Sequence, residues 1–161
     1  MSHNFELLKA HILPLSMAST FGEAKREWSL VAVEISDEWD QCPCGQAIKE
    51  HCYIKNKITG NETYVGNVCV NNFLGIDTGT LFDGLKRIAE DPQANPNLAV
   101  IAYAEERGYL YERDGETAEA DFLRRTVRKH QKTHSAKQLA WKEKINRRIL
   151  KGTIVTKRTV R

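Results

Sequence analysis

The stretch CPCGQAIKEHCYIKNKITGNETYVGNVC, residues 42–69, holds all four cysteines of the 161-residue chain. The Cys-Pro-Cys-Gly turn at its start can present two thiolates to one ion, since glycine relieves a tight turn. Zinc sites need about four soft or borderline donors in a tetrahedral array. The clustering therefore predicts a zinc site in preference to four buried, hydrophobic cysteines.

The pattern between the cysteines predicts a β-hairpin followed by a short helix. Cys69 falls in the first turn of that helix, where the helix dipole favours a thiolate. The predicted elements are a strand over 47–56, a turn at 59–61, a returning strand over 62–65, and a helix over 68–74 that Asn67 caps and Gly75 ends.

The fourth zinc ligand can be either of two neighbours. Cys52 is favoured because it completes a four-thiolate set and shares the inward face of its strand with Ile48 and Ile54. His51 points to the opposite face and is the alternative. Four protein ligands would close the coordination sphere and make the site structural. The predicted ligands are Cys42, Cys44, Cys52 and Cys69.

This plan of turn, hairpin and helix N-terminus resembles a treble-clef zinc finger over residues 42–75. It departs from that class in its Cys-x-Cys knuckle, one residue shorter than usual, and in carrying one helix cysteine where two are common. The run CPCGQAIKEHCYIKNKITGNETYVGNVCVNNFLG also resembles a zinc-binding segment in uncharacterised phage and mobile-element proteins, and the similarity continues into residues 135–146. That resemblance implies phage origin and no known activity.

Few signs of enzyme chemistry are present. HNH-type nucleases use a hairpin histidine as base, so His51 keeps a metal-dependent nuclease as a minor hypothesis, although Asn71 and Asn72 stand where a second histidine would be needed. A zinc deaminase would need His-x-Glu before Pro-Cys-x-x-Cys, and the chain has neither. No phosphate loop, nucleophile elbow or dinucleotide fingerprint occurs. We therefore expect a non-enzymatic protein.

The net charge of +3 conceals an asymmetric distribution. Residues 1–120 carry a net −9, whereas residues 121–161 carry +12, from 14 Lys and Arg against 2 acidic residues. Repulsion within like-charged pairs such as Arg124 and Arg128 would be relieved by phosphates, with counterion release driving the binding, or by an acidic protein, including the chain's own first 120 residues. The predicted nucleic-acid contacts are Arg124, Arg125, Arg128, Lys129, Lys132, Lys144, Arg147, Arg148 and Lys151.

Aromatic residues could stack on single strands. Tyr53 and Tyr64 on the hairpin are candidates, but they could instead pack as a cross-strand pair. Trp141 forms an apolar ridge with Ile145 and Ile149, which we interpret as core. Further elements are a helix over 5–13, a strand over 28–35, a helix from 79, a helix over 98–107 capped by Asn95, helices over 116–130 and 135–150, and an unpartnered tail strand after Gly152.

The sequence predicts an α+β protein, with a treble-clef-like zinc unit over 1–77 packed with a helical, basic part over 78–161. Its expected function is that of a zinc-stabilised nucleic-acid-binding accessory protein. The alternative is a protein-binding regulator or inhibitor of a polymerase, nuclease or defence complex. No run approaches 18 apolar residues, and the start lacks the features of a secretory signal. We therefore expect a cytoplasmic protein without a membrane partner, in which grouped cysteines favour metal over disulfides.

Overall fold

The computed structural model describes residues 3–75, 77–112 and 118–155. Over these ranges the chain combines seven α-helices with a four-stranded sheet, which confirms the α+β class. The described residues divide into two compact units: the first contains those up to Thr78 together with Ile154 and Val155, and the second contains those between Gly79 and Thr153.

The first unit contains the sheet. Its strand order is β3-β2-β1-β4, in which β1, β2 and β3 form an antiparallel meander and β4 runs parallel to β1. The elements are α1 (His3–Ile12), α2 (Phe21–Ala24), β1 (Trp28–Gln41), β2 (Ala47–Asn56), β3 (Glu62–Gly66), α3 (Asn67–Leu74) and β4 (Ile154–Val155), with 3₁₀ turns at Leu13–Leu15 and Lys25–Glu27.

The hairpin follows the predicted alternation. Cys52 lies opposite Val33 on β1 and Val65 on β3, and all three are at most 1% exposed. Tyr53 and Tyr64 are directly opposite each other, with ring centroids 6.2 Å apart. The cross-strand pairing of the two tyrosines is therefore confirmed, and one face of the hairpin supplies the core of the unit.

Strand β1 is longer than the sequence predicted. It continues to Gln41, with irregularities in its register between Leu30 and Ala32 and between Ile35 and Asp40. Such bulges bend a strand and re-aim its side chains. The tail strand also has a partner, because Ile154 pairs with Ile35 in parallel.

The N-cap predicted for α3 is wrong. Gly66 is the N-cap residue, and Asn67 is the first residue of the helix. The Asn67 side chain instead accepts a hydrogen bond from the Thr78 hydroxyl. The predicted end of the helix is confirmed, since Gly75 adopts a left-handed φ of 67° and its N–H donates to the Asn71 carbonyl.

The second unit is helical. Its apolar core comes from all four helices and includes Phe82 and Leu85, Ile101, Leu123, and Ile145 and Ile149, each at most 1% exposed. The helices are α4 (Gly79–Glu90), α5 (Leu98–Glu106), α6 (Ala118–Thr126) and α7 (Ala136–Lys151), with a 3₁₀ turn at Gln131–Thr133. Of the described helices, none has the length and apolar character to cross a membrane.

The sequence predicts Asn95 as the N-cap of α5, and this prediction is wrong. Asn97 caps the helix and accepts a hydrogen bond from the Val100 N–H at 2.9 Å. Asn95 serves another part of the unit: its Oδ1 accepts from Lys142 Nζ at 2.6 Å, and its Nδ2 donates to the Lys129 carbonyl. Asn95 therefore links its loop to α7, through Lys142, and to the segment after α6, through Lys129.

Helix α6 ends earlier than predicted. Thr126 is its last residue, and the Thr126 hydroxyl donates to the Leu123 carbonyl at 2.9 Å. The Lys129 N–H then closes a turn on the Thr126 carbonyl. The capping box of α7 is confirmed, because Ser135 and Gln138 exchange hydrogen bonds between side chain and backbone.

Candidate functional site

Three cysteines converge in the first unit. Cys42 and Cys44 belong to the turn between β1 and β2, which is closed by hydrogen bonds between Cys42 and Gln46 and between Gly45 and Cys42. Cys69 comes from the first turn of α3. The three Sγ atoms lie within 4.8 Å of one another. The Cys42–Cys69 separation is 3.7 Å, close to the roughly 3.8 Å between sulfurs that are each 2.3 Å from a tetrahedral zinc.

The cysteines are free thiols, and 3.7 Å between Cys42 and Cys69 is far longer than a disulfide bond of about 2.0 Å. The hydrogen bond between Cys42 and Cys69 lowers the pKa of Cys42, with help from the backbone amides of Cys44 and Gly66. The same contact raises the pKa of Cys69. One sulfur is therefore prepared as a thiolate, and a cation would displace the remaining proton.

Gly66 allows the turn and the helix to meet. Its N–H donates to Cys42 Sγ at 3.3 Å. A Cβ at this position would lie 2.8 Å from Ile48 Cγ2 and 3.8 Å from the Cys42 Cβ. A larger residue at this position would displace Ile48, which lies next to the three cysteine sulfurs. Glycine therefore permits the backbone at the start of α3 to approach the Cys42 turn closely.

The structure places Cys52 outside the sulfur cluster. Among the described residues the group with metal-ligand geometry consists of Cys42, Cys44 and Cys69. Cys52 is completely buried in the sheet core, and burial, followed by the charge of Glu50, raises the pKa of its thiol to about 12. A neutral thiol at this position packs as a small apolar side chain.

His51 is also apart from the sulfur cluster in the described part of the chain. Its Nε2 lies 3.2 Å from an Asp40 carboxylate oxygen, and its ring packs beside Tyr53 and Tyr64. The side chain is buried, and its Nδ1 has no hydrogen-bond partner among the described residues. The two tyrosine hydroxyls are bonded to Glu34 and to the Gln41 carbonyl.

A small cleft adjoins the sulfur cluster. It has a volume of about 190 Å³. Two of the cluster cysteines contribute to its wall, beside amide and apolar side chains from α1 and α3. Its described lining residues are Asn4, Phe5, Leu8, Cys44, Gln46, Val68, Cys69 and Asn72.

The predicted cationic residues have different environments in the second unit. Arg124 pairs with Glu105 at 2.7 Å, and Arg147 lies 3.6 Å from Glu143. Arg148 is the most constrained, because it pairs with the buried Glu119 at 2.6 Å and its guanidinium lies 3.7 Å from the centre of the Tyr111 ring. The members that are exposed and lack an ion pair within the described ranges are Arg125, Arg128, Lys129, Lys132, Lys144 and Lys151.

Two clefts gather some of these cations. The first cleft, about 470 Å³, is lined by Phe122, Arg125, Thr126, Lys129, His134, Ser135, Lys137, Gln138 and Trp141. The second cleft is lined by Ala118, Asp121, Arg124, Arg125, Arg128, Lys129 and Trp141. Both therefore share Arg125, Lys129 and Trp141. The structure thus brings together four of the nine predicted phosphate contacts, while Lys132, Lys144, Arg147, Arg148 and Lys151 lie outside these clefts.

Sequence reasoning missed two residues of this surface. Lys137 lines the first cleft but was not among the predicted contacts. Trp141 was assigned to the core, yet 39% of it is exposed, while its ridge neighbours Ile145 and Ile149 are buried. Its place at the edge of the ridge, among lysines and arginines, was the available signal.

A buried cation supports the floor of the first cleft. Lys142 is completely buried, and its Nζ contacts Asn95 Oδ1 and, at 3.0 Å, His134 Nδ1. Burial lowers the pKa of Lys142 to about 8. Burial and then the charge of Lys142 lower the pKa of His134, against the Thr126 carbonyl, which raises it. Within the described residues the lysine is hydrogen-bonded to an amide and an imidazole, and the charge of Asp91 opposes the lowering of its pKa.

Comparison with protein-family models, with curated proteins and with solved structures returns no match. The resemblance to phage and mobile-element segments therefore stays a prediction, and the site must be interpreted from its own geometry.

Proposed function

We propose that this chain is a zinc-stabilised, non-enzymatic nucleic-acid-binding protein. The observation that carries the proposal is the convergence of Arg125 and Lys129, both exposed and without ion pairs in the described ranges, on clefts that they share with Trp141. Clustered cations repel one another, and a phosphate backbone relieves that repulsion.

The zinc part of the proposal rests on Cys42, Cys44 and Cys69. Their sulfur spacing suits a tetrahedral ion, and thiolates are the ligands that zinc accepts readily. The turn, hairpin and helix around them support a treble-clef-like unit. Bound zinc would join the β1–β2 turn to α3, and its binding free energy would stabilise the fold of this small region.

Three protein thiolates leave one tetrahedral position for a ligand from outside the cysteine trio, such as water. Zinc-bound water serves catalysis when a general base or an electrophilic partner stands beside it. The described residues of the adjoining cleft offer amides and apolar groups, with no carboxylate or imidazole. This lining supports a non-enzymatic role in preference to a nuclease.

A gel-shift titration of zinc-quantified protein tests the proposal, with single- and double-stranded DNA and RNA at two salt concentrations. The R125Q/K129Q variant should lose most of the affinity, since both cations line both clefts. The matched control is K144Q/K151Q, which removes two exposed charges outside the clefts. Equal losses in the two variants would show that charge alone matters and would contradict the site.

The protein-partner alternative makes a different prediction for the same titration. If a protein with about one zinc per chain binds none of the four nucleic acids, the proposal fails. Recovery of one partner in a pull-down that resists nuclease treatment would then favour the regulator.

A further inference from the structure

Trp141 is placed where the two cationic clefts meet. It lines both of them together with Arg125 and Lys129. We propose that the clefts bind single-stranded nucleic acid with one unpaired base stacked on Trp141 and the flanking phosphates in the clefts on either side. This inference rests on the proposed function and names the form of nucleic acid that the site selects.

The indole is fixed before any ligand arrives. Its ring stacks on Phe122, with centroids 4.0 Å apart and planes 16° from parallel. Its Nε1 donates to Glu119 Oε2 at 3.0 Å, and Glu119 is itself held by Arg148 and by the Tyr111 N–H. One part of the ring is thus anchored while 39% of the residue stays exposed. A pre-organised aromatic surface loses little conformational entropy when a base stacks on it.

Both clefts that Trp141 lines also contain cations. Lys137 belongs to the first cleft, and Arg124 and Arg128 belong to the second. The described lining of the first cleft contains no carboxylate, and that of the second contains Asp121 alone. The N-terminal amides of α7 are partly occupied by the capping box between Ser135 and Gln138, so phosphate recognition falls to the side chains.

The floor of the first cleft is held by a buried pair. His134 is 8% exposed, and its Nδ1 accepts a hydrogen bond from Lys142 Nζ, which leaves the proton of the neutral ring on Nε2. That Nε2 is itself buried, and the Thr126 carbonyl favours a proton on the ring. The histidine therefore shapes the floor of the cleft, and the phosphate contacts come from the exposed lysines and arginines.

This arrangement favours single strands over duplexes. In a duplex both faces of each base are covered by its neighbours, so no base face is available to stack on an exposed indole. An unpaired base can leave its neighbours and lie on the ring, and such stacking tolerates any base because every base has an aromatic face. Tyr53 and Tyr64 of the hairpin are less suited to stacking on a base. Their hydroxyls are hydrogen-bonded within the protein, and their rings pack on His51 and on each other.

Fluorescence anisotropy with a labelled 12-nucleotide oligo-dT, and with a labelled duplex of the same length, tests the inference. W141L should weaken binding of the single strand by about 10-fold, the scale of one lost base–aromatic stack, and should leave duplex binding nearly unchanged. W141F should retain most of the affinity because it keeps an aromatic face. The control is W39L, which removes an exposed tryptophan of the first unit.

The inference is overturned if W141L binds both nucleic acids as the wild type does, or if it weakens both equally. A wild type that binds neither overturns the proposed function as well, whereas salt-sensitive binding without a Trp141 effect overturns this inference alone. Should W141L fail to fold, tryptophan fluorescence of W39F answers the question, because Trp28 is buried. Oligo-dT should quench that emission, and unchanged emission at saturation would contradict stacking.

Discussion

At the scale of single residues, Cys52 and Cys69 are chemically different although both are cysteines of the same hairpin-and-helix segment. Cys69 has sulfur neighbours and sits at a helix N-terminus. Cys52 has Val33 and Val65 on the neighbouring strands and a pKa raised to about 12 by burial. The two residues should therefore respond differently to the same substitution.

We expect C52A to retain about one zinc per chain and C69A to lose most of it, because only Cys69 belongs to the sulfur cluster. C52A should still lower the free energy of unfolding by about 1 kcal/mol, since it empties part of a packed core. Metal analysis after gel filtration, with chemical denaturation alongside, measures both effects. Loss of zinc from C52A to the level of C69A would show that Cys52 is a ligand after all.

Lys142 makes the stability of the second unit depend on pH. Its folded-state pKa of about 8 lies below the ordinary value of 10.5, so the unfolded chain binds the proton more tightly. Stability should therefore rise with pH between these values and gain nothing from this group below pH 8. Relative to K142M, the wild type should gain roughly 1.5 kcal/mol between pH 8 and 9.5.

Denaturant unfolding of the wild type and K142M at pH 7, 8 and 9.5 measures this difference. The comparison cancels groups that titrate in both proteins, the cysteines included. A difference in unfolding free energy that stays constant across the three pH values would show that the buried lysine keeps its ordinary pKa.

At the scale of secondary-structure elements, the crossing of α4 and α5 depends on one glycine. A Cβ at Gly84 would lie 2.6 Å from Val100 Cγ2 and would also meet the Asn97 side chain. Asn97 is the cap of α5 and donates to the Thr80 carbonyl of α4. Because Gly84 has no side chain, Asn97, the N-cap of α5, can lie against α4.

G84A should destabilise the protein by about 1–3 kcal/mol, because the overpacked contact outweighs the gain of up to about 1 kcal/mol in helix propensity. Thermal unfolding followed by circular dichroism measures the change. The control is G22A, because a Cβ at Gly22 meets nothing within 4 Å. A more stable G84A would mean that the two helices separate easily at this point.

The sequence predicted those elements whose signals are local. The alternation of β2, the Thr-Gly-Asn turn and the Ser135 capping box all appear in the structure as predicted. The errors arise where distant contacts decide. The sequence alone does not show whether Asn95 or Asn97 caps α5, because the choice depends on the distant hydrogen bond between Lys142 and Asn95. Similarly, α6 ends at Thr126 because the side chain and backbone of this residue close a turn.

The sequence likewise predicts only part of the candidate site. The spacing of the cysteines indicated a metal centre, and three of its four predicted ligands come together. Cys52 lies in the sheet core, outside the group formed by the other three cysteines, so its place as the fourth ligand stays a prediction that C52A tests. Likewise, periodicity placed Trp141 on the apolar ridge of α7, but only packing on Phe122 reveals that the ridge ends in an exposed ring.

At the scale of the whole molecule, the chain separates its charges. The first 120 residues carry a net −9 and the last 41 a net +12. Some of the positive charge is neutralised locally, as in the pairs of Arg124 with Glu105 and Arg148 with Glu119. The cations that remain free in the described ranges include Arg125 and Lys129, which both clefts share. Arg125, Arg128 and Lys129 thus lie on the surface that we assign to phosphate binding, whereas Lys132, Lys144 and Lys151 lie outside it.

Phosphate binding by the two clefts is tested by the salt dependence of the affinity for a labelled single-stranded oligonucleotide. The logarithm of the association constant should fall linearly with the logarithm of salt concentration, and the slope should become shallower by about 1.4 in R125Q/K129Q, since each lost phosphate contact removes about 0.7. Absence of binding at low salt, or an affinity that does not change with salt, would show that the clefts do not bind phosphates.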